Sequence, residues 1–389
     1  MKSTRRFLFP IVAAALLALA ARAQTEKPYV VLVSIDGFRF DYPQRYKTKN
    51  LLAIGEAGVG AEMIPSFPSV TFPNHISIAT GMYPEHHGMV GNSFFDPAKN
   101  ASYDMRNSAK LGSWYERGTP LWVLAERQHM LAACMFWPTC DGEIGGVRPT
   151  YWKLYDGSFA DEKRVEQVIQ WLKLPPEKRP HFITLYFSDV DSSGHRNGPE
   201  SLETAQAAEL VDSMIGKLRK GIDELHLRVD LIVVSDHGMQ DVTEGEVDVG
   251  RYADASVRVV AGGPVAYFYC KDAEAIEKTY EKLSKNSKLE VYRRAETPAS
   301  WHFNENPREG DLVAIVKGAA IFTTQELGPR GGAAHAAEGR AWIRSAEVSH
   351  HAFDFLRGGA EHKAGQDRAV RERECVSVHR QDLGPGGDG

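Results

Sequence analysis

Tyr29-Val-Val-Leu-Val-Ser-Ile-Asp-Gly37 decides the fold: an apolar run with no polar alternation stops abruptly on a carboxylate and a glycine. A strand with one wet face alternates, whereas one covered on both faces does not. The same form returns at Phe182-Ile-Thr-Leu-Tyr-Phe187 and at Leu231-Ile-Val-Val-Ser235, with helix-length segments between them. One such segment, from about Ser201 to Leu225, places Ala208, Leu210, Val211, Met214, Ile215, Leu218 and Ile222 on helical spacing. Strands separated by helices predict an α/β fold, with a mostly parallel central sheet and helices on both faces. Residues from about 241 to 318 break that alternation. They read as a strand at Pro264–Cys270, a helix around Ala273–Leu283, strands at Leu289–Arg293 and Leu312–Val316, and a polar turn at Asn304–Gly310. That order predicts a small α+β insertion. The stretch 93–180 is rich in aromatic residues that serve either core packing or a pocket.

Each unalternated run is followed by side chains that bind metals. Asp36 ends the first, Asp191 and His195 follow the second, and Asp236 and His237 follow the third. Open α/β sheets bind ligands at the carboxyl ends of their strands, where these residues fall. Oxygen and nitrogen donors without thiolates suit catalytic Zn²⁺, with Mn²⁺ the alternative. A single strand-end aspartate is equally at home as a cap or turn residue, so the recurrence carries the reading. Thr71 lies between the first and second groups, just before Pro73-Asn-His-Ile-Ser-Ile-Ala-Thr80, a helix-like run with proline in its first turn. Backbone N–H groups at a helix start favour a phosphate, and a base or metal makes a threonine hydroxyl nucleophilic. The plainer alternative for Thr71 is an N-cap.

At 389 residues and 43% hydrophobic, the chain can bury one large core or a core with an inserted module. A net charge of −5 gives no general case for nucleic-acid or membrane-surface binding. Lys2, Arg5 and Arg6 precede the apolar run Phe7 to Ala20, and Ala21-Arg22-Ala23 reads as a cleavage site. Residues 1–23 therefore read as a signal peptide, too short to span a bilayer, and predict a periplasmic or secreted product. Four cysteines fit an oxidising compartment without demanding disulfides. Cys134 and Cys140 are close enough in sequence to pair, and no thiol-based zinc spacing is present.

Five motifs together resemble the nucleotide pyrophosphatase/phosphodiesterases of the alkaline phosphatase superfamily. They are Val33-Ser-Ile-Asp-Gly-Phe-Arg39, Phe67-Pro-Ser-Val-Thr-Phe-Pro-Asn-His75, Thr80-Gly-Met-Tyr-Pro-Glu-His-His-Gly88, Asp191-Ser-Ser-Gly-His195 and Ser235-Asp-His-Gly-Met239. The resemblance runs in order over roughly residues 28 to 325 and implies an alkaline-phosphatase-like fold. It implies one Zn²⁺ held by Asp36, Thr71, Asp236 and His237, and a second held by Asp191, His195 and one further histidine. Asn92 matches the position that supports a phosphate oxygen, and Phe72, Tyr155 and Tyr186 match positions around the nucleotide base. The implied substrate is a small nucleotide or other phosphodiester, not a nucleic-acid duplex. Sulfatases of the superfamily resemble a different pattern, with Cys or Ser and then Pro and Arg at the nucleophile; Thr71-Phe72-Pro73-Asn74 lacks it. A phosphomonoesterase and a non-catalytic remnant are the remaining alternatives.

The resemblance fails near the C-terminus, where the family pattern has His-Gly-Tyr and this chain has Ala341-Trp-Ile-Arg344. Read as GCA TGG ATA CGC, those codons moved forward by one nucleotide spell His-Gly-Tyr. From Arg330 onward the residues turn rich in Gly, Ala, Arg and His, with no clear strand or amphipathic helix. The domain reading is thus a catalytic unit over 24–330 and an out-of-frame, poorly structured tail over 331–389. Resequencing the end of the gene is expected to reveal a single-nucleotide shift between about codons 325 and 341. A frame intact through that stretch overturns this reading of the tail.

Overall fold

In the computed structural model, residues 27–106 and 112–328 are described, together with the backbone of the strand Ala352–Arg357. The Tyr29–Ile35 strand lies near the middle of a seven-stranded sheet. The order is Val59–Met63, Ala352–Arg357, Val229–Val234, Tyr29–Ile35, Phe182–Phe187, Ala132–Met135 and Tyr151–Trp152. The last five strands in that order run parallel, and Ala352–Arg357 is antiparallel to both its neighbours. Val33 lies opposite Leu185 on one side and Val233 on the other, so all three central strands end together.

Both faces are covered, which explains the missing alternation. Val31 and Val33 join Val211, Ile215 and Leu218 of the Leu202–Glu224 helix in one cluster. Leu32 and Val234 point the other way, into a cluster with Ala79, Trp122 and Val123. The long helix starts where Ser201 accepts the Thr204 N–H at 3.1 Å, an ordinary N-cap. Leu210 departs from the expected stripe: it is 49% exposed, at the edge of the apolar face. Asp212, on the same helix, accepts N–H bonds from Asn50 and Leu51 at 3.2 and 2.8 Å and so ties down the start of Lys49–Ala57.

The insertion forms a second, mostly antiparallel sheet of six strands. Its order is Leu289–Arg293, Leu312–Val316, Val265–Tyr269, Arg258–Gly263, Ile321–Leu327 and Glu246–Val247. Ile321–Leu327 belongs to this sheet, so the boundary expected near 318 falls short; its backbone completes the ladder beside Arg258–Gly263. The tail reading also needs correction on one point. Ala352–Arg357, in a region without a strand pattern, pairs with Val229–Val234 and Val59–Met63. Ladder bonds join backbone groups of any sequence, and a central strand left with an open edge must find a partner. The Cys134–Cys140 disulfide forms, with Cα atoms 6.2 Å apart. The signal-peptide reading and the rest of the tail lie outside the described residues.

The insertion is anchored to the main sheet's loops by one buried cation. Arg308, 2% exposed, reaches Asp96 with Nε at 3.0 Å and Nη2 at 2.8 Å. Its Nη1 donates to the carbonyls of Gly88 and Trp114 at 2.8 and 2.7 Å. Nearby, Trp301 stacks on Phe67 at 4.0 Å, pressing the insertion against the loop that leads to Thr71. Arg308→Met leaves Asp96 buried without its countercharge, which costs about 3–5 kcal/mol. The expected result is a lower urea midpoint at unchanged slope; a midpoint equal to the parent's removes this pair from the anchoring account.

Candidate metal centre and nucleophile

Three carboxylates meet because three strands end together and a glycine permits their approach. Asp36 follows directly on Tyr29–Ile35, with its N–H donated to the Phe187 carbonyl at 2.9 Å. Gly37 then turns with φ +67°, and a Cβ there would lie 3.0 Å from the Asp191 Cα. Only glycine meets both conditions without strain. In return the Gly37 N–H donates to Asp236 Oδ1 at 3.1 Å, and the Asp191 N–H donates to the Asp36 carbonyl at 3.1 Å.

His237 reveals what the first cluster is built to hold. Its Nδ1 lies 3.0 Å from the Gly238 carbonyl, which can only accept, so Nδ1 carries the proton. In the neutral ring, Nε2 then presents a lone pair. That lone pair faces Asp236 Oδ2 at 3.1 Å, Thr71 Oγ1 at 3.2 Å and Asp36 Oδ1 at 3.5 Å. Asp36 Oδ1 and Asp236 Oδ2 are buried and have no hydrogen-bond partner. Converging lone pairs repel one another unless a cation sits among them. The donor set of two carboxylates, one imidazole and one hydroxyl fits a divalent metal such as Zn²⁺.

The electrostatics agree. Burial, then the charges of Asp236 and Asp191, hold the Asp36 carboxyl well above the usual carboxylate range. Asp236 is pushed up to about 8 by burial and then by Asp191. Without a bound positive charge these acids resist ionisation, and a metal ion relieves both penalties together. The Tyr186 hydroxyl donates to Asp36 Oδ2 and fixes that ligand's orientation. Ser235 Oγ does similar work in the adjoining loop, accepting the Phe38 N–H at 3.0 Å and donating to the His237 carbonyl at 2.9 Å.

Asp191 and His195 lie on the Asp189–Asn197 helix, where a four-residue spacing puts them on one face. His195 Nε2 is 3.1 Å from Asp191 Oδ2, and these side chains are 21% and 16% exposed, more open than the first cluster. The further histidine expected near residue 340 falls outside the described residues.

Thr71 is the first residue of the Thr71–Thr80 helix, while Val70 occupies the N-cap position and no side chain caps the helix. Thr71 is therefore not the N-cap: its hydroxyl points to His237. Asn92 Oδ1 accepts the Phe72 N–H at 2.9 Å, which places Asn92 beside the turn that bears Thr71. Tyr155 is 46% exposed and lies edge-on to Tyr186 at 6.1 Å. Tyr186 itself is 7% exposed, so its contact with Asp36 is the use its placement shows most directly. Phe72 is partly buried, with its ring 6.4 Å from Tyr103.

The sequence reading assigned nothing to His75, which is fully buried between Thr71 and Ser34. Its position four residues after Thr71 was the available signal, since that spacing returns to the same face of a helix. A second acidic group, Glu85, His86 and Glu305, also gathers at the insertion boundary. There His86 Nε2 lies 3.6 and 3.5 Å from the two carboxylates, and the group is partly exposed.

The sequence pattern of the type I phosphodiesterase / nucleotide pyrophosphatase family matches residues 30–341. Mouse ectonucleotide pyrophosphatase/phosphodiesterase family member 1 is 36% identical over 307 residues, covering 74% of this chain and 33% of the relative. A venom phosphodiesterase of Crotalus durissus collilineatus is 33% identical over 298 residues, covering 73% of this chain and 36% of the relative. The chain thus spans about a third of the length of these relatives. Among solved structures, murine ectonucleotide pyrophosphatase/phosphodiesterase 5, an inactive threonine-to-alanine variant in complex with AMP, superposes with a TM-score of 0.80. It is 27% identical, and the match covers 93% of this chain and 98% of that one.

His237→Ala removes a donor from the first cluster and is expected to strip its metal during dialysis against a weak chelator. Tyr186→Phe keeps every donor but frees Asp36, and is expected to weaken metal affinity about 10-fold. Elemental analysis and chelator competition read both effects; metal retention equal to the parent's in His237→Ala excludes this cluster as the site.

Proposed function

The chain belongs to the type I phosphodiesterase / nucleotide pyrophosphatase family, and from that premise we propose that it hydrolyses phosphodiester and pyrophosphate bonds of nucleotides, releasing nucleoside monophosphates. The proposed reaction uses two zinc ions and passes through a Thr71-linked nucleotide. The observation that carries it is the Thr71 hydroxyl, 3.2 Å from His237 Nε2, free of capping duty and within the carboxylate cluster. Zn²⁺, when bound, supplies positive charge that lowers the pKa of a nearby hydroxyl and offsets charge on the phosphoryl and leaving oxygens.

The protein's own groups do the rest. Thr71 gives up its Oγ1 proton to solvent and attacks phosphorus through that oxygen, the bond to the leaving oxygen breaks, and a nucleotidyl-threonine remains. Water then attacks the same phosphorus, Thr71 leaves with its proton restored, and a nucleoside monophosphate departs. At the start of Thr71–Thr80 the Phe72 N–H is engaged by Asn92 and the Asn74 N–H by the Val70 carbonyl, and Pro73 has none, which leaves the Thr71 N–H for the phosphate. With Asn92 Oδ1 engaged by Phe72, the amide nitrogen is the end that donates to a phosphoryl oxygen. Phe72 and Tyr155 offer aromatic faces for the base, with Tyr186 edge-on to Tyr155. Nucleotide specificity is supported by the AMP complex of the solved relative.

Export to a periplasmic or extracellular space fits the N-terminal signal and the Cys134–Cys140 disulfide. Among the described residues no helix is long and apolar enough to cross a membrane.

Thr71→Ala is expected to lower kcat on a nucleotide p-nitrophenyl ester by on the order of 10³-fold or more, as loss of a nucleophile does. Circular dichroism should stay unchanged. Activity on p-nitrophenyl phosphate measured in parallel distinguishes a diesterase from a monoesterase. Full activity in Thr71→Ala removes this residue from the chemistry, and a higher monoesterase rate reverses the substrate assignment.

A further inference from the structure

His75 touches each part of the proposed machinery. Its Nδ1 lies 2.8 Å from the Thr71 carbonyl and 3.4 Å from Asp236 Oδ2, and its Nε2 lies 2.9 Å from Ser34 Oγ. Ser34 sits on the Tyr29–Ile35 strand two residues before Asp36. One imidazole thereby ties the helix that bears Thr71 to the strand that leads to Asp36, with Asp236 Oδ2 close by.

The tautomer of that ring is determined by its neighbours. The ring is fully buried, with Trp137 edge-on at 5.0 Å and Tyr186 edge-on at 5.4 Å. The Thr71 carbonyl can only accept, so Nδ1 carries a proton, and the Ser34 hydroxyl, which can donate, faces Nε2 at 2.9 Å. The opposite tautomer would aim a lone pair at both the Thr71 carbonyl and the Asp236 carboxylate.

We infer that His75 is a positioning residue: its Nδ1–H braces the first turn of its own helix at the Thr71 carbonyl, and Ser34, on the strand that leads to Asp36, holds the ring from the other side in the tautomer that permits it. This rests on the Thr71 reaction proposed above. A nucleophile displaced by a fraction of its bond distance loses rate without losing substrate, so the effect belongs in kcat.

The test uses two amides of different reach. His75→Asn offers an N–H close to the Nδ1 position, whereas His75→Gln offers one close to Nε2. With a nucleotide p-nitrophenyl ester, His75→Gln is expected to lower kcat about 10–100-fold, the range typical of groups that orient metal ligands. KM and zinc content stay at parental values, and His75→Asn recovers most of the loss. Ser34→Ala, a smaller change that keeps the ring, is expected to lower kcat about 10-fold by releasing the tautomer. It decides the matter even if His75→Gln fails to fold. Parental kcat in Ser34→Ala, or equal kcat in the Asn and Gln variants when both fold, overturns the inference; so does a loss confined to KM or zinc content. A parent enzyme that binds zinc yet turns over no diester overturns the Thr71 reaction and this inference with it, a result distinct from the variant outcomes.

Discussion

The mutual repulsion of Asp36, Asp191 and Asp236 is the constraint around which the molecule is arranged. Burial raises the cost of charge on Asp36 and Asp236, and the nearby Asp191 raises it further at both. A chain free to relax would move these groups apart. Here they are held on the ends of adjacent parallel strands and on a helix that starts just beyond one of them. Parallel pairing fixes where the strands end, and Gly37 removes the side chain that would otherwise separate Asp36 from Asp191. The repulsion becomes affinity once a cation is present, because the same charges then share one countercharge.

Rigidity around that cluster comes from a layer of neutral hydrogen bonds. Tyr186 holds one carboxylate, the Gly37 N–H holds another, and the Gly238 carbonyl sets the His237 tautomer. His75 extends the layer to the first turn of the helix that bears Thr71. None of these groups adds net charge, which matters in a site already overloaded with it. They orient ligands by direction of donation and acceptance, and direction survives where charge would have to be compensated. The insertion contributes from outside: Trp301 backs Phe67, and Arg308 pins the loops around Asp96.

Much of this was legible beforehand. The unalternated runs at 29–35 and 182–187 became strands with those bounds because burial on both faces imposes a continuous apolar sequence. The helix between the ligand groups read correctly except at Leu210, where an apolar residue at the stripe's edge meets water at modest cost. Ile321–Leu327 and Ala352–Arg357 were harder, since their place comes from ladder bonds to neighbours and not from their own pattern. The candidate metal-binding residues were visible as a recurrence after successive strands. His75 was printed in the same motif as Thr71 but had no distinguishing mark.

Residue type and spacing by themselves determined which side chains lie at the carboxyl ends of buried strands, since an unbroken apolar run that stops at a polar residue marks where such a strand ends. They also set Asp191 and His195 on one helical face and placed Thr71 near a helix start. Tertiary structure alone decided that Thr71 faces His237 and does not cap its helix, that Tyr186 grips Asp36, and that His75 meets Ser34 beside Asp236. The reason is geometric: those contacts join residues tens to hundreds of positions apart. Their partners are chosen by sheet order and helix packing, which no local spacing encodes.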